Sequence, residues 1–325
     1  MSKIDLGITL YCFTAEYYRG EYSLEDCLRA TGELGVKQFE IVGSQMLPAY
    51  PFVTDKFRSE FNEMCEKYGV TCVSYGANMD RGMRADRNLT EDEMLKSTIN
   101  DIKTANRLGA KVMRAQYLLS PKVMARVAPY AEEFGVKVGI EIHNPETPSS
   151  PVMQEYFETY ERGGSKYIGF VPDFGAFATR PNIKVARALE NEENKEAIEY
   201  AVHARRNNIP RNKARETLIQ MGVNQEVMQC FEEMNGFLTF YNEPDLESLK
   251  RIMPYVVHFH GKFHYMHEDL YEESIPYEEI LPAIQKSDFE GCIVSEFEGN
   301  EPGKTYEMVR RHLAMERKIL GIGIK

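Results

Sequence analysis

Short runs of apolar and β-branched residues alternate with amphipathic segments along almost the whole chain. Eight runs are candidate strands, in the order IDLGITLYCF, KQFEIVG, TCVSYGA, KVMRAQY, KVGIEIH, SKYIGFVPDF, VVHFHGKF and GCIVSEFEG. Between them apolar positions recur at the helical period, as in residues 55–68 and 91–108, which predicts helices there. This alternation of strand and helix indicates an α/β protein with a parallel sheet.

The ends of the predicted helices share one pattern. In LGVKQFE, YGVTCVSY, LGAKVMRA and FGVKVGIE, a glycine ends a helix and the next strand begins one or two residues later. Glycine is favoured there because it reaches positive φ without strain. Eight such units predict a (β/α)8 TIM barrel that forms a single domain over residues 1–325, and an open doubly wound sheet is the alternative.

One segment interrupts this rhythm. Residues 182–240, between the sixth and seventh candidate strands, are long, polar and helix-prone, and a single barrel helix does not need so much chain. The pattern predicts a helical insertion of two or three helices that form a flap or subdomain over one end of the barrel. A passive surface decoration is the alternative, since surfaces tolerate insertions. The sequence leaves open whether this segment covers an active site or binds a partner.

Composition limits the expected cellular location of the protein and the classes of molecule that it could bind. The chain has 325 residues and a net charge of −11, which disfavours binding to nucleic acid. No stretch approaches the ~18 apolar residues of a membrane span, and the first residues lack a signal-peptide pattern. The six cysteines include no CxxC pair, so we interpret them as reduced core thiols. We therefore expect a cytoplasmic protein.

Four consecutive candidate strands end in acidic or imidazole side chains: EIH at 141–143, PDFG at 172–175, HFHGK at 258–262 and SEFEG at 295–299. The active site of a βα barrel lies at the carboxyl ends of its strands. So much negative charge at one rim would be costly without a cation, which predicts a divalent metal. Oxygen ligands with one imidazole suit Mn²⁺ or Mg²⁺, and zinc and iron are alternatives.

The series EIH, VPDF, HFHGK and SEFEG resembles the xylose isomerase-like superfamily of sugar isomerases, ketose epimerases and their relatives, over nearly the whole chain. The resemblance implies four metal ligands, namely Glu141, Asp173, His260 and Glu296. It leaves His258 behind the ligands or facing the substrate. Many members carry a histidine three residues after the strand-six aspartate, whereas this chain has Ala176, a departure from ordinary epimerases and endonucleases.

The motifs EIHNPE, HFHGKF and SEFEG, together with the helical insertion, look most similar to the α subunits of bacterial C-glycoside deglycosidases. This resemblance implies a lyase that cleaves the carbon–carbon bond between a 3-oxo-sugar and an aromatic aglycone. It also implies a hetero-oligomer with a small β subunit. His143 faces the same way as Glu141, and imidazole accepts protons near neutral pH, so His143 is the expected catalytic base. The resemblance gives it the same role, and the alternative is that it only orients a ligand.

Further polar residues near the strand ends are candidates for binding the substrate: Gln116, His258, Lys262 and Glu298. Two other functions stay open. In a metal-dependent sugar isomerase or epimerase, Glu141 and Glu296 would exchange a proton through an enediolate. The second open function is a non-catalytic sugar-binding or scaffold subunit. The charged cluster argues against it, because a scaffold has no need of charges that require a cation. The acidic balance disfavours an endonuclease.

Overall fold

Eight parallel strands form the centre of the protein. A computed structural model describes residues 4–79, 81–116, 119–180, 190–207, 209–234, 240–299 and 303–323. The strands are β1 (Ile4–Thr9), β2 (Gln38–Val42), β3 (Thr71–Gly76), β4 (Val112–Ala115), β5 (Lys137–Ile142), β6 (Ile168–Pro172), β7 (Phe259–Phe263) and β8 (Gly291–Phe297).

The strands pair in the order β6-β5-β4-β3-β2-β1-β8-β7, and every pair is parallel. Because β1 pairs with β8, the sheet curls round on itself instead of staying open. Two isolated bridges, Phe170 with Val256 and Asp173 with His260, connect the remaining edges. The predicted (β/α)8 TIM barrel is therefore confirmed, and the open-sheet alternative is wrong.

Helices follow the strands and surround the barrel. Their bounds are α1 (Thr14–Tyr18), α2 (Leu24–Glu33), α3 (Gly43–Met46), α4 (Asp55–Tyr68), α5 (Glu91–Arg107), α6 (Pro121–Phe134), α7 (Pro151–Gly163), α8 (Lys195–Arg206), α9 (Arg211–Gln220), α10 (Gln225–Met234), α11 (Leu246–Ile252), α12 (Tyr277–Gln285) and α13 (Thr305–Leu320). The periodic segments at 55–68 and 91–108 form α4 and α5. Gly69 and Gly135 end α4 and α6 at φ of 64° and 62°, the conformation that the repeated glycine pattern predicted.

The first candidate strand is shorter than predicted. β1 ends at Thr9, and residues 10–13 form a 3₁₀ turn in place of the extended strand expected from IDLGITLYCF. The Thr9 side chain caps this turn by accepting a hydrogen bond from the backbone N–H of Tyr11 at 3.3 Å. Beyond the last β1–β8 pair, Cys12 Sγ lies 3.2 Å from both the Ser295 carbonyl oxygen and the Phe297 nitrogen. The turn thus continues the support of β8 after β1 has ended.

Helices α8, α9 and α10 lie between β6 and β7, in the segment predicted as an insertion. Their apolar residues form a cluster separate from the barrel core, with Ala201, Leu218 and Phe231 fully buried. Residues 182–189, 208 and 235–239 of the predicted insertion lie outside the described residues. Whether the segment covers the active site or binds a partner stays a prediction.

Two expectations from composition can be compared with the structure. The six cysteines form no disulfide, and all but Cys65 are buried, which agrees with reduced core thiols. Across the parts of the chain that the structure describes, no helix has both the length and the apolar character needed to span a membrane.

Candidate metal centre

Four consecutive strands bring polar side chains to one point at the barrel mouth. Their ligand atoms lie within 4.8 Å of one another, and the residues are Glu141 in β5, Asp173 just after β6, His260 in β7 and Glu296 in β8. All four are buried. The structure thus assembles the four residues that the resemblance named as metal ligands.

The His260 ring is held in one orientation. Its Nε2 donates a hydrogen bond to a carboxylate oxygen of Glu40 at 3.2 Å, since a carboxylate only accepts. Its Nδ1 has no hydrogen-bond partner, yet it lies 3.2 Å from Glu141 Oε1 and 3.3 Å from Glu296 Oε1. A histidine that donates one N–H to a carboxylate and presents its other nitrogen to carboxylates has the arrangement of a metal ligand.

The buried charges do not balance without a cation. The carboxylates are those of Glu40, Glu141, Asp173 and Glu296, and the buried cations are Arg114 and Lys262. When all four carboxylates are ionised and His260 is neutral, four negative charges against two positive charges leave an excess of two, which one divalent cation would neutralise. Without a cation, protons supply part of that positive charge, because burial raises the pKa of Asp173 to about 7 and the neighbouring carboxylates raise the pKa of His260. Asp173 Oδ2 and Glu296 Oε2 are buried and accept no well-aligned hydrogen bond, and the Lys262 ammonium near both of them supplies one positive charge for the two carboxylates. Since buried unpaired charge is costly, the residues present fit a divalent metal.

The electrostatics of His260 agree with this fit. Burial alone would lower the pKa of His260, but the Glu40 and Glu296 carboxylates outweigh burial and raise it well above its usual range. The ring therefore attracts positive charge to Nδ1, either a proton or a metal ion. Burial would raise the pKa of Glu40, but His260 and Arg114 lower it to about 2, so Glu40 stays ionised.

Lys262 connects the ligand cluster to the predicted base. Its buried ammonium lies 2.8 Å from Asp173 Oδ2, 3.3 Å from Glu298 Oε2 and 3.6 Å from Glu296 Oε2. It also donates to His143 Nε2 at 2.8 Å. Burial alone would lower the pKa of Lys262, but the surrounding carboxylates raise it well above its usual range, so this side chain is a fixed positive charge.

The tautomer of His143 follows from its two contacts. Its Nδ1 lies 2.8 Å from the Asn144 carbonyl oxygen, which can only accept, so Nδ1 carries the hydrogen. Its Nε2 accepts from Lys262, so this nitrogen carries the lone pair, which becomes free for a proton when Lys262 takes another acceptor. The side chain is half-buried at the end of β5 and lines a cavity of about 700 Å³ at the barrel mouth, together with Tyr11, Phe297 and Glu298.

The other predicted substrate contacts are differently placed. Glu298 lies exposed at the cavity. Gln116 accepts a hydrogen bond from the Met79 backbone at 3.1 Å, so it holds the loop after β3. His258 is buried with Nε2 3.9 Å from Glu40 Oε2, and it is not among the residues that line this cavity. Burial lowers the pKa of His258 to about 4, so it is neutral. Roles in sugar binding stay predictions for these residues and for Lys262.

Sequence reasoning missed two buried charged residues that contact the ligand cluster. Glu40, in β2, accepts hydrogen bonds from Ser74 Oγ at 2.6 Å and Thr9 Oγ1 at 3.3 Å, besides that from His260. Arg114, in β4, lies 3.7 Å from Glu141 Oε2. Both stand inside apolar strand runs, KQFEIVG and KVMRAQY. A charged residue between apolar neighbours in a predicted barrel strand was the signal that could have identified them.

Three carboxylates and one imidazole at the carboxyl-terminal mouth of a parallel (β/α)8 barrel place this protein in the class of TIM barrels with a candidate cation site at that end. The chain matches the family described as xylose isomerase-like TIM barrel over residues 28–315, and it belongs to that family. The resemblance inferred from the strand-end motifs is confirmed.

Relatives extend over nearly the whole chain. The 3'-dehydrocarminate deglycosidase alpha subunit of a Microbacterium species is 31% identical over 97% of this chain and 95% of its own. The C-glycoside deglycosidase alpha subunit of Microbacterium trichothecenolyticum is 27% identical over 90% of this chain and 83% of its own. A crystal structure of the IOLI protein with a bound zinc atom has a TM-score of 0.58 at 15% identity, covering 99% of this chain and 98% of that one, which shows a shared fold.

Proposed function

We propose that this protein is the catalytic α subunit of a metal-dependent lyase that cleaves the carbon–carbon bond of 3-oxo-C-glycosides. The observation that carries the proposal is the place of His143, whose ring lines a cavity and contacts, through Nε2 and Lys262, a buried cluster fit for a divalent cation. The names of the relatives, deglycosidase alpha subunits, support the reaction and a partner subunit. We propose that the partner is a small β subunit in a hetero-oligomer.

Glu141, Asp173, His260 and Glu296 would hold the cation, and Mn²⁺ is the metal we propose because three of the four ligands are oxygens. When bound, such an ion is a Lewis acid that stabilises negative charge on substrate oxygens. Mg²⁺, Zn²⁺ and Fe²⁺ are the alternatives to compare by replacement. Zinc in the structurally similar IOLI protein is compatible with this fold holding a divalent metal.

The chain's own residues support a β-elimination. The 3-oxo group acidifies the hydrogen on C2 of the sugar, and His143 Nε2 is the base that accepts this proton. For that, Lys262 exchanges its hydrogen bond with His143 for one with a substrate oxygen, where its positive charge stabilises the enolate. The enolate then returns to the 3-oxo group as the bond from C1 to the aglycone breaks, which leaves a C1–C2 double bond in the sugar. The bonding electrons leave with the aglycone carbon, and delivery of a proton to that carbon completes the elimination.

The test is aglycone release from a 3-oxo-C-glucoside by the protein with its partner subunit and Mn²⁺, before and after EDTA. We expect release that EDTA abolishes and that falls at least about 100-fold in His143→Ala, the usual minimum for loss of a general base. Lys137→Ala, which removes an exposed side chain at the first residue of β5, the opposite end of the strand from His143, is the control and should keep full activity. Metal-independent release would refute the proposal.

A sugar isomerase or epimerase is the second candidate, because two carboxylates, Glu141 and Glu296, lie in the ligand cluster at 3.2 and 3.3 Å from His260 Nδ1. Two carboxylates so placed could exchange a proton with opposite faces of a substrate. No aglycone release, together with metal-dependent exchange of hydrogen at C2 or C3 of a free ketose, would favour this candidate over the lyase.

A further inference from the structure

Nearly every protic side chain that lines the barrel-mouth cavity already has a hydrogen-bond acceptor. Thr14 and Thr305 donate to a backbone carbonyl and a carboxylate, each at 2.7 Å. Arg19 pairs with a glutamate at 2.7 Å, and the Cys12 thiol lies 3.2 Å from a carbonyl oxygen. Asn144 donates from Nδ2 to a carbonyl oxygen at 3.0 Å. The hydrogens of these groups are therefore used in hydrogen bonds within the protein.

Tyr11 is the exception among the described residues that line this cavity. Its phenolic hydroxyl has no hydrogen-bond partner in the described parts of the chain, although the side chain is half-buried and its backbone is fixed on both sides by Thr9 and Thr14. A hydroxyl that is partly removed from water without a protein partner is available to a bound molecule.

Tyr11 and His143 come from opposite sides of the barrel. Tyr11 follows β1 and His143 follows β5, which is four places away in the ring of eight strands. Both nevertheless line the same cavity. Burial, and then the charges of Glu298 and Glu296, raise the pKa of Tyr11, so the phenol keeps its proton at neutral pH. A sugar ring bound between these residues would have a base on one side and a proton donor on the other.

The elimination in the proposed function needs such a donor. When the C1–aglycone bond breaks, the bonding electrons leave with the aglycone carbon, which must receive a proton. His143 has by then accepted the C2 proton on the β5 side. We propose that Tyr11 donates the hydrogen of its hydroxyl to the aglycone carbon, so that Tyr11 is a second catalytic residue. This inference rests on the proposed function.

The step balances without another reactant. The O–H bond of Tyr11 and the C1–C bond break, while a C–H bond forms on the aglycone and the C1–C2 double bond forms in the sugar. The phenolate then recovers a proton, and the imidazolium of His143 loses one, through solvent. The enzyme returns to its starting state without an oxidant or a reductant.

The test separates the two proton transfers by following the same substrate in D₂O. One measurement is deuterium exchange at C2 of the 3-oxo-C-glucoside, which reports on the base, and the other is aglycone release. In Tyr11→Phe we expect C2 exchange within about threefold of wild type and release reduced about 10²- to 10³-fold, the range for loss of a general acid. His143→Ala should lose both, and Tyr18→Phe, at an exposed tyrosine of α1, should lose neither.

Release by Tyr11→Phe at the wild-type rate would overturn the proposal. So would an equal loss of exchange and release, because Tyr11 would then position the substrate instead of donating a proton. Mn²⁺ affinity of the purified variant, measured by calorimetry, should equal that of wild type, and a weakened affinity would likewise count against a donor role. If wild type itself releases no aglycone, the proposed function fails, and that result is distinct from a failure confined to Tyr11→Phe.

Discussion

Replacement of Glu40 by glutamine tests the electrostatic reasoning about the metal centre. Glu40 accepts the Nε2 hydrogen of His260 at 3.2 Å, and the same carboxylate accepts from Ser74 and Thr9. Glutamine has the same length and keeps one carbonyl oxygen, which can accept the two bonds that Ser74 and His260 make to Oε2, while the bond from Thr9 to Oε1 is lost. The substitution therefore removes one buried negative charge while leaving the packing of the barrel interior nearly unchanged.

The magnitude follows from the geometry. The Glu40 carboxylate is separated from the ligand cluster by a 3.2 Å hydrogen bond and the width of the imidazole, about 6 Å in all. At an effective dielectric constant of about 20, one unit charge at that distance contributes roughly 3 kcal/mol per unit of opposite charge. Arg114 offsets part of this. When the group that accepts the second N–H of a metal-bound histidine is removed, metal affinity usually falls about 10- to 100-fold. We expect a fall in Mn²⁺ affinity within that range, about 10- to 100-fold, for Glu40→Gln.

The assay is calorimetric titration of Mn²⁺ into protein first treated with EDTA and dialysed, for wild type, Glu40→Gln and Asp101→Asn. Asp101 is a buried carboxyl on α5 that accepts from Tyr75 at 3.2 Å, so Asp101→Asn controls for the replacement of a buried carboxyl by an amide away from the metal centre. We expect the dissociation constant to rise in Glu40→Gln alone. If Glu40→Gln, folded by circular dichroism, binds Mn²⁺ as tightly as wild type, Glu40 does not prepare His260 for the metal and the charge argument is wrong.

Two further predictions concern stability, measured by urea denaturation. Burial raises the pKa of Asp101 to about 7, so the protonated carboxyl favours the folded state below pH ~4, and this part of the free energy of unfolding is lost as the pH rises through about 7. Asp101→Asn should therefore reduce the fall in the free energy of unfolding between these pH values. It should also stabilise the protein at pH 8, by no more than about 4 kcal/mol. A fall as large as that of wild type would contradict this. A Cβ at Gly169 would lie 2.0 Å from the Tyr255 carbonyl oxygen, so Gly169→Ala should lower the free energy of unfolding by at least about 1–3 kcal/mol. Gly163, at the end of α7, has open space around its Cβ position, so Gly163→Ala should not lower the free energy of unfolding. Equal stabilities would refute the steric argument.

The sequence by itself determined the barrel and the composition of its mouth. Apolar periodicity and glycine at helix ends are local properties, set by backbone sterics and by which face of an element is buried, so they can be read before any tertiary contact is known. The strand ends were equally informative because parallel strands in a barrel all present their carboxyl ends at one face. That rule placed Glu141, Asp173, His260 and Glu296 together although they are far apart in the chain.

Only the tertiary structure decided how these residues are arranged. Glu40 contacts His260 across 220 positions of sequence, and Lys262 contacts His143 across 119, so neither pairing leaves a local pattern. The pairing fixes which nitrogen of each imidazole carries the hydrogen, and with it which residue can bind a cation and which can accept a proton. Gln116 shows that a local pattern can also suggest a contact that the structure uses differently. Its position near a strand end suggested a sugar contact, but its side-chain oxygen accepts a hydrogen bond from the Met79 backbone N–H. Donor and acceptor roles depend on distances of a few tenths of an ångström between distant segments, and those are set by the packing of the whole barrel.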